Sequence, residues 1–217
     1  PNPIDTNLFK SSSERERDSF KSKLNLDIDH FIITFNKFIG NKNKLKGIET
    51  LEETFRLLES KNLSIPRSKI VLIDFGGKKG DCEYNGFRNI SLGEIDNHKY
   101  LAKLYSSSDC VIVPSMVESF GQVAAEALSC STPVVSFNTS GLKDIVIHNH
   151  TGMVAESFSA TSLCDQIVEL INKSSEDRLK MGKNGREHVI NNFSYKVIQK
   201  KYINILEKAK QLKKRVK

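Results

Sequence analysis

The sequence has no tryptophan, five prolines, and four cysteines that are too scattered to act together. Cys82, Cys110, Cys130 and Cys164 form no C-x-x-C pair and have no clustered histidines beside them. Neither a zinc site nor a disulfide framework is indicated, and reduced structural cysteines in a cytosolic protein are the expectation. No uninterrupted apolar run approaches the ~20 residues that a membrane-spanning helix needs. The opening Pro1-Asn2-Pro3-Ile4-Asp5 has neither the basic start nor the apolar stretch of a signal peptide. An H-R-D-type loop is also missing, so Asp74-Phe75-Gly76 is not read as the magnesium triplet of a kinase. Gly76-Gly77-Lys78-Lys79-Gly80 follows a strand-like run but matches neither G-x-x-x-x-G-K-[ST] nor G-x-G-x-x-G, and reads as a plain turn.

What is present suits one folded α/β domain: 217 residues, 38% hydrophobic and 27% charged. The net charge of +7 is unevenly placed. Residues 194–217 hold nine Lys or Arg and one Glu, which leaves the rest of the chain close to neutral. That distribution argues against a nucleic-acid groove across the fold. A basic terminal helix suits an anionic membrane surface, an acidic partner, or simple solvation of a helix end.

Ser13 and Glu16 have the spacing of a capping box, opening a short charged helix that runs to about Leu24. Before it, residues 1–12 read as loop. Continuous apolar runs predict buried strands at Phe31–Phe35, Ile70–Ile73, Val111–Val113 and Pro133–Phe137. A Lys/Asn-rich loop is expected from Gly40 to Lys46, and a helix from Ile48 to about Ser60 with Leu51, Phe55 and Leu58 on one face. Further helices are expected at His98–Ser106, Phe120–Cys130, Thr161–Lys173, Glu176–Asn191 and Tyr195–Lys213. Apolar strands alternating with amphipathic helices imply a single doubly wound, Rossmann-like α/β domain with a parallel sheet and a helical C-terminal end.

The stretch from Pro114 to Leu128 carries the chemistry. A buried strand stops at a proline, a short loop carries Glu118, and a helix opens around Phe120-Gly121. Ligands bind at strand ends in open α/β sheets, and an opening helix offers free N–H groups with a positive end. Gly121 lets a ligand approach the backbone closely. Glu118 and Glu126 lie eight residues apart, roughly 12 Å along a helix. That is wider than the about 5–9.5 Å pair of a glycoside hydrolase, and suits two groups holding opposite ends of an elongated ligand. A helix-end charge and a solvated glutamate explain the same spacing equally well.

Glu118-Ser119-Phe120-Gly121 followed by Glu126 resembles the E-x7-E motif of retaining GT-B glycosyltransferases, specifically family 4. The likeness extends to Leu101–Ser115 before the motif and to Ser131-Thr132-Pro133-Val134-Val135 after it. Ser140–Val146, Thr151-Gly152-Met153-Val154 and Phe193-Ser194 also fit the family's pattern. The resemblance implies that Glu118 meets hydroxyls of the transferred sugar, while backbone N–H groups of Ser119, Phe120, Gly121 and Gln122 contact that sugar and the diphosphate. It places Glu126 on the ribose, Lys46 on the leaving diphosphate as a catalytic charge, and the backbone of Ile90, Ser91 and Leu92 against the nucleobase. It further implies retention of anomeric configuration without a metal or other cofactor.

The departures from the family are specific. Its usual Gly-Arg phosphate clamp is replaced by Asn36-Lys37 at the end of Phe35-Asn36-Lys37-Phe38, leaving Lys37 or Lys42 as substitutes. Ser131 and Ser140 stand where glycines are usual, and Asp144 where Glu is usual. Asn2–Phe9 resembles the connector leaving an N-terminal acceptor-binding domain. The expectation is therefore that 1–217 is the C-terminal donor-binding half, with 1–12 as connector and 194–217 as a basic terminal helix. Its partners would be a nucleotide-sugar donor, with UDP the expected carrier, and a glycan or lipid-linked acceptor held by the other domain. Surface-polysaccharide synthesis at the cytoplasmic face of a membrane is the expected setting. A nucleotide-sugar epimerase of the same architecture and a non-catalytic nucleotide-binding module are the alternatives.

Overall fold

The computed structural model describes residues 1–37 and 43–215. The chain runs α1 (Glu14–Lys23), β1 (Phe31–Asn36), α2 (Asn43–Lys46), α3 (Ile48–Glu59), β2 (Ile70–Phe75), β3 (Gly80–Tyr84) and β4 (Phe87–Ser91). It continues with α4 (His98–Ser107), β5 (Cys110–Val113), α5 (Gln122–Ser129), β6 (Val134–Phe137), β7 (Gly152–Ala155), α6 (Ala160–Asn172), α7 (Ser175–Phe193) and α8 (Tyr195–Arg215).

The strands form one sheet in the order β3-β4-β2-β1-β5-β6-β7. All neighbouring pairs are parallel except β3 with β4, an antiparallel hairpin on the edge. The order reverses between β1 and β5. That is the switch point at which open α/β sheets bind ligands, beyond the C-terminal ends of the strands. Both faces are covered, as continuous apolar strands require. Leu51, Phe55 and Leu58 of α3 pack with Leu163, Ile167 and Leu170 of α6 on one face. On the other, Leu104 and Tyr105 of α4, Ala124 and Leu128 of α5 and Val189 of α7 close a second core.

The capping box is present in both directions. Ser13 Oγ accepts from the Glu16 N–H, and the Glu16 carboxylate accepts from the Ser13 N–H at 2.8 Å. Residues 1–12 form no helix or strand, as expected of a loop, and two of them join the core: Ile4 is 1% exposed and Phe9 3%. Ile4 donates its N–H to Phe193 O at 2.8 Å, and Arg186 reaches the carbonyls of Thr6 and Phe9. Of the Lys/Asn-rich segment expected as a loop, residues 40–42 lie outside the described residues, and Asn43–Lys46 forms a helical turn instead. No helix of the described residues is long and apolar enough to cross a membrane.

Candidate functional site

Lys46 ends α2. Gly47 follows in a left-handed conformation (φ 69°), and a Cβ there would sit 1.9 Å from Pro114 O. Only glycine permits this approach. The Met116 N–H also donates to Leu45 O at 2.8 Å, so α2 is fastened to the loop after β5. The consequence is a direct meeting of the two charged candidates: Lys46 Nζ lies 2.5 Å from Glu118 Oε1. Ser115 Oγ donates to the same oxygen at 2.9 Å. The Glu118 side chain is 18% exposed and that of Lys46 38%, a half-covered ion pair at the rim of the switch point.

The loop bearing Glu118 is held from its other side by the 3-10 turn Ser140–Asp144. Thr139 Oγ1 donates to Met116 O at 2.9 Å, and the Gly141 N–H donates to Glu118 O at 2.9 Å. A Cβ on Gly141 would come within 2.8 Å of Phe120 Cα and Ser119 O, so this packing too depends on a missing side chain.

Gly121, not Phe120, is the N-cap of α5, with φ 98° and no side-chain cap. The first-turn N–H groups from Gln122 onward are therefore left without a capping acceptor, the condition under which a helix start receives an anion. Phe120 is buried and packs edge-to-face on Phe193 at 5.3 Å, so its side chain anchors the loop and only its backbone faces outward. Four of the eight steps from Glu118 to Glu126 thus precede the helix, and the 12 Å helical spacing does not apply.

Glu126 is 7% exposed and accepts from Gln122 Nε2 at 2.9 Å. Burial pushes its carboxyl above the ordinary carboxylate range, while Gln122 and the nearby His98 pull it back down. It is an acceptor held in a covered position between α5 and α4, unlike the solvated helix residue of the bland reading.

The stretch Ile90–Leu92, expected against the nucleobase, lies at the C-terminal end of β4, its backbone partly engaged in the sheet. Ile90 is buried, and the Ile90 and Ser91 backbones pair with β2 on one side and β3 on the other. The Leu92 N–H donates to Asp74 O at 2.8 Å. Asp74, of the kinase-like triplet, is fully buried and accepts from Asn89 and Ser91 at 2.8 and 2.6 Å, a structural network. Gly76 donates its N–H to Gly93 O, so the lysine-rich segment is a connection into the β3–β4 hairpin, as its motif mismatch indicates. Lys37 extends over the Tyr84 ring, 4.8 Å from its centroid, toward that hairpin. Lys42 lies outside the described residues.

Asn36, which ends β1, belongs to the site as well. Asn36 lines a cavity of about 30 Å³ with Lys46, Ser115 and Glu118. Its Oδ1 is buried without a hydrogen-bond partner among the described residues. The space holds one water-sized polar group. Its signal in the sequence was the departure itself, an amide where the resembled family has glycine.

A doubly wound sheet with a cation, a carboxylate and an uncapped helix start gathered at its switch point defines a Rossmann-like domain of the GT-B kind. The model of the family "Glycosyl transferases group 1" matches residues 16–188, and the chain belongs to that family. The capsular polysaccharide biosynthesis glycosyltransferase CapM of Staphylococcus aureus is 27% identical over 198 residues, which are 91% of this chain and 50% of that protein. The solved sucrose-phosphate synthase of Thermosynechococcus elongatus superposes with a TM-score of 0.77 at 27% identity, over 98% of this chain and 52% of that one. HepE of Anabaena, solved in complex with UDP and glucose, superposes at 0.74 with 19% identity over 95% of this chain and 55% of that one, a likeness of fold alone. The chain spans about half the length of the curated relatives it matches.

Proposed function

We propose that this chain is the donor-binding half of a retaining glycosyltransferase that takes its sugar from a nucleoside diphosphate carrier, with UDP as the nucleotide. The observation that carries this reading is the Lys46–Glu118 pair beside the uncapped start of α5, at the reversal of the strand order. A diphosphate laid on that helix start would draw Lys46 away from Glu118. The freed carboxylate then accepts hydrogen bonds from hydroxyls of the transferred sugar. As the bond from the anomeric carbon to the diphosphate oxygen breaks, Lys46 and the Ser119–Gln122 N–H groups meet the growing negative charge. In this reading they supply the electrostatic work, and no metal enters the step. Glu126, already aimed by Gln122, takes the ribose hydroxyls.

The acceptor, a glycan or a lipid-linked saccharide, would enter from a companion domain. Membership of the group 1 family favours transfer over the epimerase and non-catalytic alternatives. The printed role of CapM in capsular polysaccharide synthesis supports a glycan product.

Calorimetric titration with UDP, GDP, ADP and their sugar conjugates tests the reading. Saturable binding of one nucleotide is expected. Glu126→Ala should weaken free UDP about tenfold or more, the scale of losing charge-assisted hydrogen bonds. Glu118→Ala should leave free UDP binding in place and remove the preference for the sugar conjugate. No binding at millimolar concentration, or equal effects of both changes on free UDP, refutes the assignment.

A further inference from the structure

The opposite edge of the sheet, at the N-terminal ends of the strands, holds a crevice of about 270 Å³ that the donor site does not use. It lies between α1, the turn from α4 into β5, the turn from α5 into β6, and α7. Three cations line it, Arg17, Arg178 and Lys183, against one acid, Asp109. Asp109 is largely spent: its Oδ2 accepts the Ile32 N–H at 2.8 Å, and its Oδ1 stands 3.8 Å from Arg17, beyond hydrogen-bond range. Arg178 is fixed in place, donating to the carbonyls of Ile171 and Lys173 with its guanidinium over the Phe31 ring. The side chains of Arg17 and Lys183 make no hydrogen bond among the described residues, and with Asp109 set against Arg17 alone the crevice keeps a net positive charge and uncommitted donors.

Ser131 is the second observation. It adopts a left-handed backbone, φ 62°, where a side chain costs roughly 1–2 kcal/mol and where glycine would be free of strain. Its hydroxyl lies 2.6 Å from that of Ser11 on the facing wall. Two hydroxyls share that one bond, which leaves one O–H proton available to a further acceptor. The wall behind is rigid, because α7 packs so closely that a Cβ on Gly182 would fall 2.0 Å from Ser131 O. Ser131 closes α5, its N–H donating to Leu128 O at 2.9 Å and the Thr132 N–H to Ala127 O at 3.1 Å, so the helix end fixes its left-handed backbone and presents its hydroxyl to the cationic crevice.

We propose that this crevice binds a phosphate monoester of a small polyol, with the phosphate on Arg17 and Lys183 and the polyol body against Ser11 and Ser131. The volume lies at the low end of the roughly 300–1,000 Å³ of small-molecule sites, which suits a ligand smaller than a nucleotide sugar. The ligand would bridge the segment before α1 to α7, on the far side of the sheet from Glu118, and would bind independently of the donor.

Calorimetry with glycerol 3-phosphate, mannitol 1-phosphate, inorganic phosphate and mannitol tests this, with and without saturating UDP. Saturable binding of an ester is expected, tighter than inorganic phosphate, absent for mannitol and unchanged by UDP. The Arg17→Gln/Lys183→Gln double variant should lower that affinity at least about tenfold. Ser131→Gly should weaken the ester while leaving the melting temperature equal or higher, since it removes the strain. No binding of either ester at millimolar concentration, displacement by UDP, inorganic phosphate binding as tightly as the esters, or full affinity in the double variant overturns the proposal.

Discussion

Glu126 is the residue whose burial has a measurable consequence. Covering a carboxylate disfavours its charged form, so its folded pKa stands above the ordinary value of about 4.3. For an acid with a raised pKa, folding is relieved of the buried charge below the unfolded pKa, and that advantage is lost as pH rises through the folded pKa. Glu126→Gln should therefore be at least as stable as the parent at neutral pH. Binding runs the other way, because ribose hydroxyls donate to the ionised form. Affinity for UDP should fall as pH drops through the raised pKa of Glu126, before the range in which exposed carboxylates titrate. In Glu126→Gln that part of the pH dependence should vanish, leaving only the titration of the nucleotide. Calorimetric Kd values across mildly acid to neutral pH decide it: parallel profiles for parent and variant would remove Glu126 from the ribose. Ser131 and Ser140 make a related point about single residues. Both occupy positions where the resembled family has glycine, and both have positive φ, 62° and 44°. The backbone requirement is intact and this chain meets it under strain.

Elements are joined at the site by what glycine lacks. Gly47 places α2 against the loop after β5, with Pro114 O where a Cβ would be. Gly47→Ala combines a disfavoured left-handed alanine with a backbone clash, and should cost about 2–4 kcal/mol in urea unfolding. Donor binding should fall further than this loss explains, because pushing α2 away separates Lys46 from Glu118. An unchanged midpoint and unchanged affinity would show that the close approach matters to neither. The same junction shows what was legible in the sequence. Phe31–Phe35, Ile70–Ile73 and Val111–Val113 are readable as strands because burial on both faces removes any alternation. β3 is exposed over most of its length and is made by pairing with β4, so its residues carry no apolar signal. β7 is four residues around Gly152, too short for a period to show. Lys46 and Glu118 are legible as candidates through motif and resemblance. Their contact is not, since it depends on a fit between segments about 70 residues apart in sequence. Asn36 is legible only as a departure from the resembled pattern; the folded chain shows its amide oxygen beside that pair, without a partner among the described residues.

At the scale of the whole molecule, the first dozen residues are fastened to the domain, and Arg186 makes the largest set of bonds to them. Its guanidinium bridges Phe9 O and Thr6 O at 3.1 and 3.2 Å and Ser129 O at 2.5 Å, tying the leading segment to α5 and α7 at once. Ser129 Oγ adds a second donor to Phe9 O at 2.6 Å, so that carbonyl survives the loss of the arginine while the other two do not. Partial burial lowers the pKa of Arg186, yet a guanidinium stays charged, and the fork can satisfy three carbonyls that no lysine reaches together. Arg186→Ala should destabilise the domain by about 1–3 kcal/mol, the cost of taking a charged donor from part-buried acceptors. Arg186→Lys should recover less than half of it. The distribution of the loss matters more than its size. Amide exchange at Ile4, whose N–H pairs with Phe193, and at Phe9, whose N–H pairs with Asp5, should accelerate well beyond that of β1 and β5. Uniform acceleration through the sheet would mean that the leading segment unfolds only with the domain and that Arg186 is one core contact among many. Selective acceleration would make the leading segment a separable clasp, fastened chiefly by Arg186, on the helices that also wall the phosphate crevice.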